Sequence, residues 1–266
     1  MPEDPAANKP GAVDPATLPF MAPCRTLGAD APLRWVRLGW RDFRNAPRQS
    51  LGYGIAIMLL SWLVTGIALK FGNYWAVLVL LSGFVFVAPV LALGLYSISR
   101  QLEHGMAPSL RRSFADAGKS LGTAMVFALA LLVLFLVWAR AGSMVHVFFP
   151  VRSDPDWSQL APFLLIGSAV GSIFALLTFL FSAFSLPMMC DREADAITAI
   201  VTSFNAVLRN KPAMALWVVL IVALTAIGFA TALIGLAVIM PVLGHATWHA
   251  YRDTIDASLW PLVNPD

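Results

Sequence analysis

Long apolar runs alternate along the chain with short polar stretches. Runs at about 51–69, 76–97, 121–139 and 161–189 each come near or exceed the ~20 residues needed to cross a bilayer core, and each predicts one membrane helix. The first two are joined by a few residues around Lys70 and Asn73 and form an antiparallel hairpin. Between Pro212 and Gly244 the apolar run is too long for one ordinary span and short for two. Two helices, about 212–227 and 229–250 with Gly228 at the turn, return the chain to its starting side; one long tilted helix is the alternative. The pattern predicts an all-α membrane protein of six transmembrane helices over 32–256. Residues 1–31, rich in Pro, Ala and Asp, read as a disordered tail, and 257–266 as a short C-terminal one.

Before the first span, Trp35, Val36, Leu38, Gly39, Trp40 and Phe43 interleave with Arg34, Arg37, Arg41 and Arg44. The apolar residues recur at helical spacing. This predicts an amphipathic helix on the membrane surface, with Trp35 and Trp40 at headgroup depth, or one packed on the ends of the spans. Polar segments at 99–118 and 190–211 precede the third and fifth spans in the same way.

These similarities define a repeat. Pro89, Pro187 and Pro241 each stand late in an even-numbered span, within Phe-Val-Ala-Pro-Val-Leu, Phe-Ser-Leu-Pro-Met-Met and Val-Ile-Met-Pro-Val-Leu. Phe43 precedes Ser50-Leu51-Gly52, Phe114 precedes Ser120-Leu121-Gly122, and Phe204 lies eight residues before Pro212. The unit is an amphipathic helix followed by a hairpin of two spans, used three times in parallel, and each late proline invites a kink. In the fourth span Gly167 and Gly171 stand four apart beside Ser168 and Ser172, a small-residue stripe suited to close helix packing or homo-oligomerisation.

Charge supports this topology. Of the 18 Lys and Arg residues, fifteen lie in 1–50, 99–120, 190–212 and the segment after 250. The positive-inside rule then puts both termini in the cytoplasm. Only 12% of residues are charged and 59% are hydrophobic, with a mean hydropathy of +0.75, so the partner implied is the lipid bilayer. The basic residues are spread over the loops, which excludes a nucleic-acid site. Cys24 and Cys190 form no C-x-x-C pair, and both are expected as reduced thiols on the cytoplasmic side. No apolar stretch before residue 50 resembles a signal peptide, so the first span is expected to act as an uncleaved anchor.

The spans hold no mid-membrane Asp or Glu, which disfavours ion-coupled transport. A neutral path through Ser61, Thr65, Ser82, Thr178, Ser182, Ser185 and Thr225 would suit a facilitator of a small neutral or amphipathic solute; such hydroxyls more commonly bond their own helix. His245 and His249 share a helical face, a spacing that suits a metal or a haem and would make a respiratory accessory protein. They also suit a polar ligand or lipid headgroup, and the preferred reading is bonds to carbonyls of neighbouring helices at the interface, with Trp248 and Tyr251 as interfacial aromatics. Asp191, Glu193 and Asp195 read as a solvated cap of the third amphipathic helix. No nucleophile elbow, P-loop or dinucleotide fingerprint occurs, so no catalytic residue and no firm cofactor or metal ligand is assigned, and the reading is non-enzymatic.

The segment Gly244-His-Ala-Thr-Trp-His-Ala-Tyr-Arg-Asp253, with Pro-Val-Leu-Ala-Leu-Gly-Leu-Tyr at 89–96, resembles a bacterial family of uncharacterised integral inner-membrane proteins. Its members are sometimes labelled cytochrome c oxidase subunits. The resemblance implies fold and membrane location. The four histidines do not make a haem–copper ligand set. The expectation is an inner-membrane protein that acts through a lipid, a membrane-protein partner or a second copy of itself.

Overall fold

A computed structural model describes residues 18–71, 88, 91–148 and 156–263. The described residues fold into helices: α1 (Ala31–Asn45), α2 (Pro47–Phe71), α3 (91–103), α4 (Leu110–Phe148), α5 (Trp157–Ser182), α6 (Ser185–Asp191), α7 (Ala196–Arg209), α8 (Lys211–Ala230) and α9 (Leu236–Thr254). Four stretches are long and apolar enough to cross a membrane: Pro47–Lys70, Leu110–Val145, Leu160–Asp191 and Lys211–Ala230. Most of the expected span at 76–97, with Pro89, lies outside the described residues. The stretch expected as the sixth span, 229–250, forms α9, which is not among the four. Its apolar part ends near Leu243, and the rest carries His245, His249, Arg252 and Asp253, of which His245 is buried and Arg252 exposed.

Prolines decide where helices break. Pro47 forces Ala46 out of helical geometry, to φ −130° and ψ 55°, and so parts α1 from α2. Asn210, two residues before Pro212, takes the corresponding φ −119° and ψ 38° between α7 and α8. No proline stands between Phe114 and Leu121, and there the polar segment and the span run on as the single helix α4. This corrects the expectation of a polar helix separate from the third span. Pro187 has no N–H and crowds the carbonyl of Ala183, four residues back. The chain turns at Ala183 and Phe184, and the expected span at 161–189 is divided into α5 and α6. The turn between α8 and α9 lies at 231–235 and not at Gly228. Ala232 and Leu233 have φ of 52° and 70° there, and the Thr231 hydroxyl accepts from Gly235 N–H at 2.8 Å.

Pro241 sits inside α9 without ending it. A proline leaves the carbonyl four residues before it without its helical donor, here Ala237. That carbonyl faces Gly54 of α2, where any side chain would collide with it. A methyl group at Gly39 of α1 would likewise stand 2.5 Å from the Val242 carbonyl. Two glycines thus let α1 and α2 press backbone to backbone on α9, and both contacts are extensive.

The core lies at the polar end of the bundle. Trp35 meets Trp217 edge-on at 5.7 Å, and Phe184, Met188, Met189, Cys190, Trp248 and Tyr251 are buried around them. Residues 18–30, expected as part of a disordered tail, pack on the fold. Ala22 N–H donates to Thr202, Leu27 N–H to Asn210, and Cys24 pairs with Ile255 in an antiparallel bridge. Trp260 is buried, and Glu193 N–H donates to the Pro261 carbonyl, so 257–263 packs on the same core. Asp195 caps α7, accepting from Ile197 N–H, Thr198 N–H and the Thr198 hydroxyl at 2.9, 3.0 and 2.6 Å. Partial burial acts to raise its pKa, but these hydrogen bonds outweigh it and hold the carboxyl below the usual aspartate value.

Gly54→Val is expected to destabilise the protein by about 1–3 kcal/mol through overpacking. Gly66→Ala, with nothing within 4 Å, should stay within about 0.5 kcal/mol of wild type; unfolding in detergent measures both. Asp195→Ala is expected to cost about 1 kcal/mol at neutral pH. Because the folded pKa is depressed, that contribution is present above the ordinary aspartate pKa and is lost as pH falls through the folded one. The gap between wild type and variant should therefore close in acid, as a pH series of unfolding midpoints would record.

Candidate polar hub on the last helix

Polar side chains of the segment 244–253 reach α1, α2, α3 and α6. His245 is fully buried; its Nε2 lies 2.9 Å from the Ser50 hydroxyl of α2 and its Nδ1 2.7 Å from the Ser99 hydroxyl of α3. Both ring nitrogens are therefore engaged whichever carries the proton. His249 Nε2 lies 2.7 Å from Asp42 of α1, which is itself 3% exposed. Trp248 Nε1 donates to Glu103 at 2.9 Å, and Arg252 donates to the same carboxylate. Tyr251 gives its hydroxyl proton to Asp191 of α6 at 2.8 Å, and Arg192 Nε donates to Asp191 at 3.0 Å. Asp253 accepts from Trp35 Nε1 at 2.9 Å and from Arg34 at 2.5 Å.

A second cluster joins α3 to the first turns of α4. Asp116 accepts from the Ser97 hydroxyl at 2.6 Å and from Arg100 at 3.2 Å, all three side chains buried. Tyr53 of α2 reaches Ser113 at 2.8 Å, and Ser113 donates to the Gly94 carbonyl. Buried charges are tolerated when paired and hydrogen-bonded, and removal of one partner strands the other. These clusters therefore hold helix ends in register.

The two histidines turn to different partners, with Ser50 and Ser99 on one and Asp42 on the other. Among the described residues no group of three His, Cys, Asp or Glu side chains converges as metal ligands. The serine–imidazole distances suit a nucleophile and its base, yet Ser50, Ser99 and His245 are each fully buried, which closes them to a substrate. Trp35, Trp248 and Tyr251, expected at the interface, lie inside the protein, where their N–H and O–H groups donate to Asp253, Glu103 and Asp191. Trp40 remains on the surface, stacked on Phe43 at 5.4 Å. A Cβ at Gly171 would stand 3.8 Å from Trp138 Nε1, whereas one at Gly167 would meet nothing within 4 Å among the described residues. Ser61, Thr178, Ser182 and Ser185 each donate to the carbonyl four residues back in their own segment. Four hydroxyls of the polar path are used in this way; Ser82 lies outside the described residues.

Asp42 was absent from the residues singled out by sequence. Its signal was there: positions 35, 39, 42 and 43 fall on the apolar face of α1, and an acid on that face demands a buried partner. Ser50 and Ser99 carried no such signal.

Asp42→Asn and His249→Gln are expected to couple by about 0.5–3 kcal/mol in a double-mutant cycle, because they share one contact. Additive losses in detergent unfolding would show that the pair does not hold α1 on α9.

In comparisons with known proteins, residues 77–191 match the model of a family described as "Predicted integral membrane protein (DUF2189)". The matched stretch carries Ser97, Arg100, Asp116 and Asp191 and stops short of the histidine helix, so the similarity does not rest on the 244–253 signature or on an oxidase label. No curated protein and no solved structure matches the chain. The chain is similar over this stretch to integral membrane proteins, and its apolar helices agree with that.

Proposed function

We propose that the protein is a non-enzymatic component of the bacterial inner membrane that works through a lipid or membrane-protein partner held between its spans. One observation carries this reading. Only 6 to 22% of the residues in the four apolar windows are buried inside the protein. The spans therefore present most of their surface to whatever surrounds them, while the polar end is tightly packed. Apolar side chains gain little by leaving lipid for one another, so loose spans are free to accept lipid or another helix.

The threefold unit is part of this reading, and cyclic contact supports it. α1 of the first unit packs on α9 of the third. Ser113 and Asp116 of the second bond to Gly94, Ser97 and Arg100 of the first. Ser203 of the third bonds to Leu180 and Phe184 of the second. Each polar helix thus seats on the end of the preceding hairpin. We assign the polar end and both termini to the cytoplasm on the charge asymmetry.

Purification in mild detergent followed by mass spectrometry is expected to find retained phospholipid or a co-purifying membrane protein. A preparation stripped of both, yet still folded by circular dichroism, would overturn the proposal.

A further inference from the structure

Beside the hub lies a separate cavity of about 450 Å³ between the start of the α4 span and the α6–α7 connection. Lys119, Ser120 and Thr123 line it from α4, and Arg192, Glu193 and Asp195 from the other side. The Ser120 hydroxyl is buried, with 3% exposure of the residue, and makes no hydrogen bond. A buried hydroxyl without a partner is uncommon and marks a place where a polar group is expected. Arg192 uses Nε on Asp191 and Nη1 on the Trp260 carbonyl, which leaves Nη2 without a partner among the described residues. The cavity thus gathers two cations and two hydroxyls, the donor set of a phosphate site.

Its acids differ from each other. Asp195 uses both oxygens to cap α7. Glu193 is exposed and makes no ion pair among the described residues. A free carboxylate beside a phosphate site fits an ammonium group carried by the same ligand. Depth agrees, because Ser120 immediately precedes the apolar run that begins at Leu121, where headgroups lie.

We propose that this cavity binds a phosphate ester bearing a primary ammonium, either the phosphoethanolamine headgroup of a membrane lipid or soluble phosphoethanolamine. Lys119, Arg192, Ser120 and Thr123 hold the phosphate, and Glu193 holds the ammonium. The lipid form deepens the lipid arm of the function proposed above.

Native mass spectrometry of the full chain in mild detergent tests this, with phosphatidylethanolamine, phosphatidylglycerol and soluble phosphoethanolamine as probes. Wild type is expected to prefer phosphatidylethanolamine over phosphatidylglycerol by about tenfold, the equivalent of one good polar contact. Lys119→Glu combined with Ser120→Ala should lose about tenfold in affinity for both lipids, and Glu193→Gln should abolish the preference between them. Glu193 is exposed, so Glu193→Gln is expected to unfold at the wild-type midpoint, and circular dichroism establishes that the Lys119/Ser120 variant is folded before its binding is scored. Binding of soluble phosphoethanolamine as tight as that of the lipid would support the site and assign it a soluble ligand. Lipid held equally by wild type and the Lys119/Ser120 variant would overturn the site while the broader lipid reading stands. Failure of all three probes to bind would also overturn it, even where a protein partner co-purifies.

Discussion

The arrangement depends on how closely two helices approach α9. Gly39 and Gly54 let the backbones of α1 and α2 meet it, at Val242 and at the Ala237 carbonyl that Pro241 leaves free. The proline supplies a carbonyl in need of company, and the glycine admits it. Only at that spacing do the imidazoles of the same helix reach Ser50 and Asp42. Backbone contact comes first, and the polar hub follows from it.

The packed core sits at the polar end for a physical reason. The hydrophobic effect operates only where water is the alternative. Between spans the alternative to a protein contact is a lipid tail, and the gain is small. Hence Trp35, Trp217, Trp248, Phe184 and their neighbours cluster where the chain meets water, and the spans beyond them stay sparsely packed. Polar groups in that core are satisfied almost throughout because a missing partner would cost more there than in solvent.

Four of the expected spans were legible in the sequence because hydrocarbon thickness imposes a length, and the breaks at Pro47 and Pro187 follow from the chemistry of the residue. What covers a face was not legible. The periodicity of α1 marks Trp35 as apolar-facing, but lipid and protein satisfy that pattern equally, and the tryptophan proved to be buried on Trp217. The histidine pair was visible as a spacing, whereas its partners stand about 150 to 200 residues away and no local rule reaches that far. The order of 18–30 was hidden for a related reason: an extended segment held by backbone bonds to α7 and α9 has no periodicity to read.

The seating of α1 on α9 also sets an order of assembly. The first helix needs the last, and Asp42 and His249 are separated by 207 positions. At ribosomal speeds of 5–20 residues per second, roughly 10 to 40 s pass between the emergence of one and the other. Throughout that interval the apolar face of α1, with its acid, is without its final cover. The contact that seats α1 is thus among the last that synthesis makes available.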